Sequence, residues 1–279
     1  MLNLVSCCNH IMILRNFHER PVAVVTGASS GIGAIYADRL AARGYDLLLI
    51  ARREDRLQSL AQRLQQQYAI DVSTLKADLS HDDGIREVEQ RLRSDDRVAL
   101  LVNNAGSARM GAFLSVDVDE HETIHTLNTT ALMRLSYAAL SRFSAQNNGT
   151  LINIASVLAF HAWSGSAVYS ATKAWVVNFT RGLQDEFADS NVRIQAVLPA
   201  ATATEIWDLS GVASATLPEG SVMSAEDLVD AALTGLDNAE HVTLPPVHDL
   251  ALWDDYEQAR LALFATSRTG VPAPRYQKR

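Results

Sequence analysis

Tyr169 and Lys173 stand four residues apart in Tyr169-Ser170-Ala171-Thr172-Lys173, and Ser156 lies thirteen residues before the tyrosine. On a helix, positions i and i+4 share one face. An ammonium placed there favours phenolate and draws down a pKa that starts near ~10. A phenol tuned in this way can give or take a proton near neutral pH. Ser156 offers a hydroxyl to hold a substrate oxygen beside it. Taken alone, Y-x-x-x-K is also ordinary helical spacing, so its meaning depends on the segments that position it.

One such segment is Thr26-Gly27-Ala28-Ser29-Ser30-Gly31-Ile32-Gly33. The run Pro21-Val22-Ala23-Val24-Val25 before it reads as a short buried strand. The run from Ile32 to Arg43 after it reads as a helix that ends at Gly44. A glycine-rich turn between strand and helix is the context a dinucleotide site requires. Gly27 allows the tight turn, Gly31 lets backbone approach a pyrophosphate, and Gly33 lets the helix pack on the sheet. The pyrophosphate then meets free N–H groups at the helix N-terminus. The spacing is G-x-x-x-G-x-G rather than G-x-G-x-x-G, and a plain glycine-rich turn remains the other reading of this stretch taken by itself.

These two segments recur with others in a fixed order. Asn103-Asn104-Ala105-Gly106, Asn128 and a loop that begins at Pro199 complete the set. Over residues 20–265 the chain resembles the short-chain dehydrogenase/reductase family, and in particular its bacterial-type NADPH-linked reductases, which carry Ala51-Arg52-Arg53 after the second strand. The resemblance implies hydride transfer between nicotinamide C4 and a carbonyl carbon, with Tyr169 as acid/base. Lys173 would lower the tyrosine pKa and bind the nicotinamide ribose, and Ser156 would polarise the carbonyl. Asn128, which by residue type alone could be surface or a helix kink, would hold a water that links the lysine to solvent.

The cofactor contacts follow from the same resemblance. Ser29 and Ser30 would add hydroxyls, and Ile32 backbone at the helix start. Asp78 would cap the adenine beside Leu79 backbone, although an Asp at a helix approach needs no ligand. Asn104, Ala105 and Gly106 would run close to the adenosine ribose, while Asn103 would stabilise the sheet centre. Pro199 opens the loop, Thr202 backbone would meet the carboxamide, and the Thr204 hydroxyl would meet the carboxamide or pyrophosphate. The family's usual Pro-Gly is Pro199-Ala200 here. Cofactor choice turns on the end of the second strand. An acid there would bind the ribose hydroxyls of NAD and repel a 2′-phosphate. Ala51 stands there instead, and the guanidinium forks of Arg52 and Arg53 suit a phosphate. This points to NADP(H), with Arg52 the stronger candidate.

The elements that must position these residues alternate along the chain. Strands are expected at 46–50, 72–77, 98–102, 149–155, 192–198 and 241–244, after the one at 21–25. Helices are expected at 53–68, 82–93, 118–143 and from the tyrosine to 188. Continuous apolar strands argue for a parallel sheet covered on both faces. The fold expected is α/β: one Rossmann domain with a doubly wound seven-stranded parallel sheet over residues 21–265. Residues 1–20 read as a disordered or misassigned leader, with Met12 an alternative start and membrane tethering through Cys7 and Cys8 a further reading. Residues 266–279 read as a tail. The irregular segment 205–223 is long enough for a lid. Met110, His161, Trp163 and Trp207, with Leu209 and Leu217, would line an apolar substrate pocket, although each can equally be packing.

Composition sets the outer bounds. The chain has 279 residues, 48% of them hydrophobic, and a net charge of −8. That suits one α/β domain with a large core. Basic residues are interspersed with acids, so no nucleic-acid patch is expected. No apolar run approaches the ~18 residues of a membrane span. Two adjacent cysteines form no disulfide framework, which fits a reducing cytoplasm, and His161 lacks the spaced partners of a metal site. The reading is an NADPH-dependent reductase of aldehydes or ketones, reversible, and a homodimer or homotetramer. An NAD-linked alcohol or polyol dehydrogenase and a non-enzymatic NADPH-binding regulator are the alternatives.

Overall fold

A computed structural model describes residues 20–212 and 217–277. The leader residues 1–19 with Cys7 and Cys8, the stretch 213–216 of the expected lid, the Leu209 side chain and the last two residues lie outside the described residues.

Seven strands form one sheet: β1 (Val22–Thr26), β2 (Asp46–Ala51), β3 (Val72–Lys76), β4 (Val98–Asn103), β5 (Gly149–Ile154), β6 (Val192–Val197) and β7 (Val242–Thr243). Their order is β3-β2-β1-β4-β5-β6-β7 and every pairing is parallel. This is the doubly wound sheet the sequence predicts. The apolar runs of β1, β2 and β5 are buried along their whole length, because helices cover both faces. β3 is an edge strand, so its Ser73, Thr74 and Lys76 face outward. β7 is shorter than expected. It meets β6 only at Ala196 and Val197, and Pro245-Pro246 follow within two residues, removing the N–H groups a longer ladder needs.

On one face lie α1 (Gly31–Ala42), α2 (Glu54–Tyr68) and α8 (Ala225–Asp237). Tyr36, Leu40, Leu57, Leu64, Leu228 and Leu233 fill the core beneath them. On the other lie α3 (Asp82–Ser94) and α5 (Leu132–Gln146), which pack Ile85, Val88, Leu135 and Phe143 on the sheet. α6 (Ala167–Glu186) extends that layer with Val176 and Val177. Because β1 sits between β2 and β4, successive crossovers diverge there, and a crevice opens at the strands' C-terminal ends. The motifs singled out above all fall at those ends.

The helix expected over 118–143 is α4 (Val118–His125) and α5 joined by a π turn at Thr126–Ala131. A short α7 (Ile206–Ser210) lies within the expected lid, and α9 (Ala251–Ser267), which sequence pattern did not suggest, follows β7. None of its residues is buried, so it lacks the apolar stripe that reveals a core helix.

Candidate active site

The glycine-rich turn between β1 and α1 is closed by side chains of β4's end. Thr26 Oγ1 accepts from the Asn104 and Ala105 N–H groups at 3.0 Å each and donates to Val102 O at 3.2 Å. Asn104 Nδ2 donates to Thr26 O at 2.9 Å and to Gly27 O at 3.3 Å. A Cβ at Gly33 would lie 2.4 Å from Gly27 O and 2.6 Å from Asn104 Nδ2. Gly31, at φ +52°, would bring a Cβ within 2.9 Å of Thr204 Cγ2. The turn and the loop after β6 therefore face each other with backbone exposed between them, a shape that fits a nucleotide diphosphate at a helix N-terminus. Asn103 points away into the sheet centre, donating to Ser136 Oγ and Asn153 Oδ1 at 3.0 Å each.

The end of β2 carries the charge. Arg53 donates to Ser29 Oγ at 3.0 Å and Ser30 Oγ at 2.7 Å, so it is Arg53 that joins the glycine-rich turn. Arg52 extends toward Asp78 at 3.9 Å with its side chain 64% exposed. Asp78 Oδ1 accepts from Ser80 N and Oγ, and these bonds with the nearby cations hold its carboxyl below the usual range despite partial burial. Leu79 is buried in the core. Glu205, which sequence reasoning did not single out, also meets this group: Arg53 donates to its Oε2 at 2.6 Å and Arg56 donates to its Oε1.

At the other end of the crevice, α6 places Tyr169 and Lys173 on one face. Lys173 Nζ donates to Ile154 O at 2.9 Å and lies 5.7 Å from the Tyr169 ring centroid. Lys173 is buried, and desolvation draws its ammonium down to about 8. Tyr169 keeps some exposure, yet the protein around its hydroxyl pushes the phenol up to about 12, against the opposing pull of the neighbouring Ser156 hydroxyl. Burial therefore outweighs the lowering expected from the neighbouring ammonium. Ser156 is itself fixed: its Oγ accepts from Leu158 N at 3.2 Å and donates to Pro199 O at 3.3 Å.

Asn128 sits in the π turn and is buried. Its two amide hydrogens go to Ser107 O and Thr172 Oγ1, at 3.0 Å each, and its Oδ1 accepts from Ser107 N at 3.0 Å. Thr172 in turn donates to Tyr169 O at 2.8 Å. Asn128 thus ties the loop after β4 to the helix of Tyr169 and Lys173. Both of its N–H donors serve protein partners, which leaves acceptor positions for the water that the resemblance implies.

The substrate-side residues are less gathered. Met110 N donates to Ser210 O at 2.6 Å, and Trp207 Nε1 donates to Thr202 O at 2.7 Å, so α7 is stitched to the loops after β4 and β6. Thr202 also pairs with Met223 in an isolated bridge. Thr204 Oγ1 lies 3.5 Å from Thr202 O. His161 and Trp163 are exposed between Ser156 and Tyr169. Phe160, on the same loop, packs against Trp253 and Tyr256 of α9 at 6.4 and 6.0 Å. Trp253 and Tyr256, three residues apart on α9, stack on each other at 5.2 Å. Among the described residues no cluster of three metal-ligating side chains occurs, and no helix is long and apolar enough to cross a membrane.

The model of the short chain dehydrogenase family matches residues 21–211. By sequence, the chain is 34% identical to an uncharacterized oxidoreductase of Staphylococcus saprophyticus over 227 residues, 81% of this chain and 95% of that one. By structure, it is similar to a short-chain dehydrogenase from Sphingobium yanoikuyae in complex with NADPH, with TM-score 0.89 and 47% identity over 92% of this chain and all of that one. A bulky-bulky ketone specific alcohol dehydrogenase from Comamonas testosteroni aligns with TM-score 0.85 and 41% identity, over 92% and 99% of the two chains. The chain belongs to the short-chain dehydrogenase/reductase family. It is an oxidoreductase acting on alcohol and carbonyl groups with a nicotinamide cofactor.

Proposed function

We propose that this protein reduces ketones bearing two bulky substituents to secondary alcohols, with NADPH as the cofactor. The observation that carries the cofactor choice is Arg53 forked onto Ser29 and Ser30 beside Ala51, where an acid would stand for NAD. The relative from Sphingobium in complex with NADPH supports the same choice. The packed rings of Phe160, Trp253 and Tyr256, with the exposed Trp163 on the same loop as Phe160, support a large substrate, as does the ketone specificity named for the Comamonas relative.

The nicotinamide, when bound, supplies or accepts the hydride. The chain's residues do the rest. A phenol near 12 keeps its proton at pH 7, so Tyr169 is ready to donate to a carbonyl oxygen as that oxygen gains charge. Ser156, its Oγ held by Leu158 N, donates to the same oxygen once its hydroxyl turns away from Pro199 O, and so orients it. Lys173, positively charged at neutral pH, stabilises the proton-depleted phenol after transfer. Asn128 fixes Thr172 and the loop at Ser107, keeping Tyr169 and Lys173 aimed into the crevice. Residues Gly27 to Gly33, Asn104 to Gly106, Pro199, Thr202 and Thr204 would bind the dinucleotide. A homodimer or homotetramer in the cytoplasm is part of this reading.

A titration of NADPH and NADH, followed by ketones of graded bulk with absorbance at the reduced nicotinamide band, tests it. The expected result is NADPH affinity roughly ten- to a hundredfold above NADH and turnover of ketones with two large substituents. Equal affinity for both cofactors, or turnover restricted to sugars and polyols, rejects it in favour of an NAD-linked dehydrogenase. Tight NADPH binding with no turnover of any carbonyl compound would favour a regulator.

A further inference from the structure

Glu205 follows Thr204 and immediately precedes α7. Its carboxylate is held from two sides: Arg53 donates to Oε2 and Arg56 to Oε1. These two arginines hold the carboxyl down to about 2, and Ser30, which accepts from Arg53 at 2.7 Å, stands beside them. Arg53 and Ser30 are also the groups assigned above to a 2′-phosphate. A carboxylate and a phosphate cannot share those donors without close contact between like charges. The Glu205 side chain is 43% exposed, so water can receive it when it leaves. The described residues that follow are tied to the crevice by Trp207 Nε1, which donates to Thr202 O, and by Ser210 O, which accepts from Met110 N.

We propose that Glu205 is an internal substitute for the cofactor's 2′-phosphate: it occupies Arg53 and Arg56 until that group arrives and is then expelled, which loosens α7. Glu205 is thus a specificity-determining residue that acts against every cofactor carrying the phosphate, and it couples phosphate capture to the segment bearing Trp207. The inference rests on the reading of Arg53 as a 2′-phosphate ligand. A carboxylate built into the site lowers the affinity for NADPH that the arginines alone would give. In exchange, the two guanidinium groups stay oriented and paired in the free protein instead of facing each other uncompensated.

Two fragments isolate the phosphate from the nicotinamide: 2′,5′-ADP, which has the group, and 5′-AMP, which lacks it. Calorimetric titration of the full chain and of Glu205→Gln should show 2′,5′-ADP bound roughly three- to tenfold more tightly by the variant, with 5′-AMP unchanged. Hydrogen exchange in peptides covering 203–212 should accelerate in the parent on adding 2′,5′-ADP but not 5′-AMP, and should already be fast in the variant without ligand. Weaker binding of 2′,5′-ADP by Glu205→Gln overturns the proposal, since it would mean that the carboxylate orients the arginines for phosphate and does not compete with it. Unchanged affinity with unchanged exchange overturns it as well. Arg53→Ala separates the two layers. If that variant discriminates the fragments as the parent does, the assignment of the phosphate site fails and the Glu205 proposal falls with it. If it loses discrimination while Glu205→Gln changes nothing, only the Glu205 proposal falls.

Discussion

The wall of the crevice formed by Thr26, Gly27, Gly31, Gly33 and Asn104 is backbone and short side chains packed so closely that a Cβ at any of the three glycines would lie within 3 Å of a neighbour. Opposite in character are Phe160, Trp253 and Tyr256, large rings held at centroid distances of 5.2–6.4 Å, with Phe160, Tyr256 and the separate Trp163 41–45% exposed. On the first wall an added methyl group has nowhere to go. In the second region, ring surfaces meet solvent, and a change alters shape more than stability. A surface built from close-packed backbone tolerates no added side-chain atoms, whereas one built from exposed rings can change shape one residue at a time.

The largest effect expected at the junction of the two regions is from Tyr169→Phe. Losing the transferable proton should lower ketone reduction by ~10²–10⁴-fold, with NADPH affinity measured by fluorescence titration unchanged. Near-parental turnover would mean that the proton enters from elsewhere and that the two regions do not meet at Tyr169.

Lys173 supplies the next effect through pH. Burial lowers its pKa from 10.5 to about 8, so between those values the unfolded chain binds more protons than the folded one and stability rises with pH. The cost of holding the buried charge is fully present below pH 8 and is relieved above it. Relative to Lys173→Met, which has no such slope, the parent should gain about 2 kcal/mol in unfolding free energy between pH 7 and pH 9.5, measured by urea titration. Tyr169 acts in the opposite sense above pH 10, since its raised pKa stabilises the fold below that value and the contribution is lost as pH passes about 12. Parallel curves for parent and variant would place the amine in water.

The remaining effects form a matched pair. Gly33→Ala should destabilise the fold by about 1–3 kcal/mol, through the clash with Gly27 O, and weaken dinucleotide binding. Trp163→Ala should change stability by less than about 0.5 kcal/mol while shifting KM for bulky ketones severalfold. Thermal melts and steady-state kinetics on both variants check the contrast. If Trp163→Ala destabilised the protein as much as Gly33→Ala, the two regions would not differ in kind.

The amino-acid sequence by itself determined the parallel sheet, the crevice and the alignment of Tyr169 with Lys173. Each depends on local information: apolar runs of strand length, glycines at a strand-to-helix turn, and a four-residue spacing whose helical meaning is geometric. It also determined which residues flank the second strand, though not which of two adjacent arginines turns toward Ser29 and Ser30. Tertiary structure decided that Arg53 does so, because the direction of a side chain depends on where the glycine-rich turn and Glu205 lie, 23 and 152 residues away. Tertiary structure also decided that β7 stops after two residues and that α4 reaches α5 through a π turn around Asn128. It placed an unburied helix, α9, with no apolar stripe to betray it, against Phe160. Above all it decided the balance at Tyr169 and Lys173. Spacing brings an ammonium to a phenol, but only the packed surroundings set how much water each group loses, and here that loss is the largest influence on both.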